Sequence, residues 1–251
     1  MSEVKAAIRS ATGGRDFPFY NGEPLRISLP GWLIVLATAA GGFAGLMIAP
    51  TLAPGRLGGW LGIAFFVALP LLGLRVAAGK YWTAIFHRPT ARDIWIGLAF
   101  APCTLLVSGI VALGMMRLEL TAANPVVAMM HQLQGADLAL SIAATAPQLL
   151  GEELITIIPF LALLTLLTAR CGLSRRVAII GAWIGSALLF GALHLPTYQW
   201  HLGQVLLIIG TARLVLTVPY LITKNIWSST IAHITNDWLI FAVVLILPKL
   251  G

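Results

Sequence analysis

Seven apolar runs separated by short polar segments dominate the chain: residues 31–48, 59–78, 94–116, 138–168, 177–195, 202–223 and 227–247. A helix rises about 1.5 Å per residue, so roughly 20 residues cross the hydrocarbon layer, and each run is read as a spanning helix. The fourth run is too long for one crossing, and Pro147 and Pro159 within it are expected to divide or kink it. The pattern predicts an all-α, polytopic transmembrane bundle of seven or eight spans.

The polar segments fill in the organisation. Residues 1–30 carry Gly13, Gly14, Pro18, Pro24 and Pro30 with no sustained apolar face. They read as a flexible polar tail before a single transmembrane domain over 31–251. The first run follows that tail and exceeds a signal-peptide core, so it is expected to be retained. Residues 79–93 mix Tyr81 and Trp82 with Lys80, Arg88 and Arg92, as headgroup-level anchors do. In 117–137, Asn124-Pro125 precedes a short amphipathic stretch, and His131 there reads as a solvated side chain. No internal repeat is evident.

Composition agrees with the pattern: 59% of residues are hydrophobic and 10% charged, too little charge for a soluble domain. With the N-terminus inside, inner segments hold Lys5, Arg9, Arg15, Arg26, Arg75, Lys80, Arg88, Arg92, Arg170, Arg175, Arg176 and Lys224. Outer segments hold Arg56, Arg117 and Lys249. That asymmetry predicts a cytoplasmic N-terminus and, with no cleaved leader, a bacterial inner membrane. The net charge of +7 is spread over loops that meet anionic headgroups, so the bilayer is the expected partner and nucleic acid is not. Cys103 and Cys171 lie at different depths without ligand spacing, and no disulfide is expected.

Three polar clusters interrupt the later runs: Glu152-Glu153, Phe190 to His194, and His233 to Asp237. An ionisable group at the bilayer centre costs about 2.5–3.5 kcal/mol on insertion scales, so such groups mark function by default. His233 and Asp237, four residues apart, share a helix face; they could hold a metal, fix an imidazole tautomer, or merely join two helices. His194 ends its run beside Phe190 and could equally be an interfacial residue. Glu152 and Glu153 point about 100° apart, so one can take a chemical and the other a supporting role. A water-screened carboxylate suits a general base that takes a proton from water and returns it to a leaving amine. Two His, two Glu and an Asp together supply what water activation for amide hydrolysis requires, with or without a metal.

The order and spacing resemble the CPBP family of intramembrane proteases, named for CAAX proteases and bacteriocin-processing enzymes and also called Abi. Its motifs are Glu-Glu-x-x-x-Arg, Phe-x-x-x-His and His-x-x-x-Asn/Asp; the likeness covers about residues 136–247. The resemblance implies that Glu152 activates water and that His194 and His233 support it or the oxyanion. Asp237 would complete the polar cluster, and Glu153 would be the supporting partner. Zinc is compatible with Glu152, His194, His233 and Asp237 as ligands, and so is a metal-free glutamate mechanism. The implied substrate is a membrane-associated protein or peptide, lipidated or leader-type.

One departure stands out: the motif arginine is Ile157 here. Arg213, otherwise unexplained in an apolar run, could replace it from another helix. Without replacement, the chain would be an impaired scaffold or immunity-type protein; an ion-coupled carrier using the same groups is a further alternative. Depth is a second difficulty, because His194 lies about 27 Å beyond Arg175-Arg176 and His233 only about 13 Å beyond Lys224.

Overall fold

The computed structural model describes residues 14–53, 55–118 and 121–246. Among these residues there are helices and turns and no strand. We number the helices α1 (Leu29–Leu52), α2 (Arg56–Ala78, continued by a 3-10 stretch, Gly79–Ile85), α3 (Ala91–Met116) and α4 (Pro125–Gln132). They continue with α5 (Gly135–Ala169), α6 (Arg175–Leu193), α7 (Leu202–Thr223) and α8 (Ile226–Ile246). All but α4 are long and apolar enough to cross a membrane, giving seven candidate spans among the described residues.

Local chemistry sets the starts. Ser28 Oγ accepts from Gly31 N at 3.2 Å and Pro30 occupies the first turn of α1. Thr90 and Asp93 close a reciprocal capping box on α3, and Asn124 caps α4 through Val126 N at 2.9 Å. α1 and α2 pair closely through small residues: a Cβ on Gly42 would lie 3.0 Å from Phe65 O, and one on Gly62 would lie 3.1 Å from Leu46 O.

α5 is the central pillar, one continuous helix of 35 residues with 72% of its most apolar window buried. Pro147 and Pro159 sit inside it without dividing it, because neighbouring helices hold a proline-bearing helix together within a membrane domain. Among the described residues the bundle therefore has seven candidate spans, and the fourth run is not split into two.

Two further features differ from the pattern-based expectation. Residues 14–28 are packed rather than loose. The Phe17 ring lies 5.2 Å from Phe160 and 5.7 Å from Tyr220, Phe19 is fully buried against Trp32, and Arg15 pairs with Asp93 at 3.0 Å. The two buried phenylalanines of this polar stretch are too few to register as a face, yet they bury enough area to hold it down. Residues 1–13 lie outside the described residues.

The second difference lies at the α7–α8 turn. Lys224 is 6% exposed, with its Nζ 4.2 Å from the Phe17 ring centre, and Asn225 is fully buried. Asn225 donates to Asp93 Oδ2 at 3.2 Å and accepts from His87 N at 3.2 Å. The α7–α8 turn thus lies inside the protein, beneath the N-terminal segment, and despite the different counts along their helices the Phe190 and His233 rings come within 6.4 Å of each other.

At the opposite end of α7, Gln204 holds the loop before α4 with both the oxygen and the nitrogen of its side-chain amide. Its Oε1 accepts from Ala122 N at 2.7 Å and its Nε2 donates to Ala122 O at 3.0 Å.

Candidate active site

Glu152 and Glu153 lie 17 and 18 residues into α5, about 25 Å from its start and nearly as far from its end. Gly151 lets α2 approach here: a Cβ at this position would fall 2.4 Å from the Phe66 ring. The two glutamates diverge as adjacent helical residues must. Glu153 turns fully into the protein, and Glu152 turns toward a cavity with its side chain 15% exposed.

Glu153 Oε1 is gripped twice. Arg213 Nη1 lies 2.6 Å away and His233 Nδ1 lies 2.9 Å away. Since a carboxylate oxygen only accepts, His233 donates from Nδ1, which directs its Nε2 elsewhere. The 3.5 Å separation of Arg213 Nη1 and His233 Nδ1 is then a contact between two donors rather than a hydrogen bond. His233 Nε2 sits 3.7 Å from Glu152 Oε2 and 3.9 Å from Asp237 Oδ1. Asn236 donates to Asp237 Oδ1 at 2.9 Å, and Gln148, one turn before Glu152, donates to its Oε1 at 3.4 Å.

Arg213 owes its position to a π-helical turn, Val205–Ile209, in which Gly210 N–H reaches back to Val205 O. One extra residue in the turn rotates everything after it by about 100°, and such turns recur at functional sites. Arg213 is fully buried, bonded through Nε to Thr217 Oγ1 at 3.2 Å and stacked 5.0 Å over Phe190. Ile157, at the position of the motif arginine, instead packs in the apolar core with Leu154, Phe160 and Leu161.

α6 brings the remaining pieces. His194 caps its C-terminus and its Nδ1 lies 2.9 Å from Phe190 O, so Nδ1 carries hydrogen and Nε2 is free for other work. Phe190 is a hub, its ring 4.6 Å from His194 and 6.4 Å from His233.

These groups line one cavity of about 630 Å³, in which Glu152, His194, Arg213, His233 and Asp237 form a polar end. Phe43, Leu46, Met47, Phe66 and Leu105 form an apolar wall, and α4 borders it with Val126, Val127 and Met130. Glu152, His194, His233 and Asp237, the residues the resemblance singled out, all line this cavity, with Glu153 behind them. Tyr198, in the turn after α6, also lines the cavity; its burial and the nearby Asp237 and Glu152 carboxylates push its hydroxyl up to about 12. The sequence reading passed over Tyr198, Gln148 and Asn236. Gln148 could have been found from its i, i+4 relation to Glu152. His131 is exposed on α4 and outside the lining, and both cysteines are free.

As to a metal, no three His, Cys, Asp or Glu side chains among the described residues are grouped so as to hold an ion.

Residues 134–239 match the family model Type II CAAX prenyl endopeptidase Rce1-like. The Rce1-like stretch opens at Gln134, the residue that precedes α5, and closes within α8, so it contains every polar group of the cavity named above. It leaves out α1–α3, which supply the apolar wall. The Rce1-like match, to a CAAX protease family, supports a protease. No curated protein and no solved structure matches the chain.

Proposed function

We propose that this protein is an intramembrane endopeptidase that cleaves a peptide bond by glutamate-activated water. The observation that carries this reading is the division of the glutamates: Glu153 is neutralised behind the site by Arg213, while Glu152 faces the cavity beside His233 Nε2.

The 3.7 Å gap between Glu152 Oε2 and His233 Nε2 exceeds a hydrogen bond, and a water there would be within reach of both. Glu152 removes a proton from that water as its oxygen bonds to the carbonyl carbon of the substrate. The carbonyl π electrons move to oxygen, and the imidazolium form of His233 donates from Nε2 to the oxyanion. His194 Nε2 accepts the remaining water hydrogen and holds the attacking lone pair in line. Collapse of the intermediate breaks the C–N bond, and Glu152 passes its proton to the leaving amine. No step is routed through a metal.

The apolar wall beside this polar end favours a membrane-associated peptide, lipidated or leader-type, whose apolar group lies along Phe43, Leu46 and Phe66. Cleavage of a peptide library by wild type and Glu152→Gln in detergent tests the reading. A well-folded wild type that cleaves nothing, or a variant that cleaves as fast, would overturn it.

A further inference from the structure

A second cavity, of about 1000 Å³, opens between α1, α5 and α6 and includes none of Glu152, His194, His233 or Asp237. Its walls are apolar, built from Leu33, Leu36, Leu163, Leu166 and Leu189. Two guanidinium groups stand at one end: Arg26, just before the cap of α1, and Arg170, at the last turn of α5. Both residues are exposed, and neither makes an ion pair among the described residues. The start of α1, a 24-residue helix, adds its partial positive charge at the same end.

A separate observation points to a ligand. Trp32 lines the groove at 5% exposure, and its buried indole N–H has no acceptor among the described residues. An orphaned buried donor costs about 1–3 kcal/mol, so an acceptor is missing from its surroundings. Trp32 lies four residues beyond Ser28, about 6 Å deeper along α1. That offset is comparable to the thickness of the interfacial layer separating phosphate from hydrocarbon.

We propose that this groove binds one anionic glycerophospholipid of the surrounding bilayer. Arg26 and Arg170 take the phosphate, the Trp32 N–H takes a glycerol ester carbonyl, and an acyl chain lies along the leucine wall toward Leu189. A free isoprenoid alcohol offers neither the anionic charge nor the ester.

The test is native mass spectrometry of the full chain, washed in detergent after exposure to mixtures of phosphatidylglycerol and phosphatidylcholine. Wild type retains one phosphatidylglycerol. The double variant Arg26→Gln, Arg170→Gln binds it about tenfold more weakly or worse, whereas Arg88→Gln, Arg92→Gln, exposed elsewhere, retains it. Trp32→Phe weakens retention severalfold and keeps the preference for phosphatidylglycerol. Equal loss in both double variants, or equal retention of phosphatidylcholine or geranylgeraniol, would overturn the proposal. Unchanged retention by Trp32→Phe would overturn the ester contact.

Discussion

Arg213 Nη1 and Glu153 Oε1 lie 2.6 Å apart across α7 and α5, and both side chains are fully buried. Among the described residues Glu153 Oε2 and Arg213 Nη2 find no partners of their own, so each charge depends on the other. Deleting one half of a buried pair leaves an uncompensated charge, at a cost of about 3–5 kcal/mol. Arg213→Met is therefore expected to lower the melting temperature in detergent by roughly ten degrees and to remove activity. Arg213→Lys, which keeps the charge but not the planar fork over Phe190, should lose less of both. A fully active Arg213→Met would show that Ile157 needs no counterpart on another helix.

Glu152 and Glu153 should part company on substitution. Glu152→Gln is expected to cut the turnover rate by about 10² or more while leaving the melting temperature within a degree or so, since its one hydrogen bond, from Gln148, is long at 3.4 Å. Glu153→Gln leaves Arg213 without its carboxylate and should destabilise as much as Arg213→Met. Paired melting curves and rates on both variants decide the matter, and the reverse assignment would exchange the roles given to the two residues.

Chelation bears on the mechanism directly. Treating active protein with a strong zinc chelator is expected to leave the rate unchanged, and elemental analysis should find less than one zinc per chain. Activity that disappears with the chelator and returns with zinc would refute the metal-free route.

Lys224 predicts a pH-dependent stability. Burial, followed by the Arg175 charge, lowers its ammonium from 10.5 to about 8. Below pH 8 both folded and unfolded chains carry the proton, and the folded state bears the full cost of a buried ammonium. Between about pH 8 and 10.5 the unfolded chain binds more protons, so stability from this group rises with pH. Lys224→Met should melt higher than wild type at pH 7, with the difference shrinking to nothing by pH 10.5. A difference that is constant across that range would mean that packing against Phe17, not charge, governs the site.

The spans were legible because apolar runs of this length have few other uses, whereas the caps at Ser28, at Thr90 with Asp93 and at Asn124 came to light only in the structure. Glu152, Glu153 and His233 were legible as charges that an apolar segment has no other reason to hold. What the sequence could not display was three-dimensional coincidence. Phe17 and Phe19 look isolated until α5 and α7 come beneath them, and Lys224 looks like a surface lysine until that segment covers it. The π turn ahead of Arg213 has no signature in composition. Without it, nothing tells which way the arginine points.

Gln204 grips Ala122 on one side of that turn, and Arg213 follows on the other, so the loop before α4 and the charge behind Glu152 hang from a single rod. The same helix therefore holds both the loop that leads into α4 and the counter-charge of Glu153. The border of the cavity and the ion pair behind it are thereby fixed to each other, as a door and its latch are when one frame carries both.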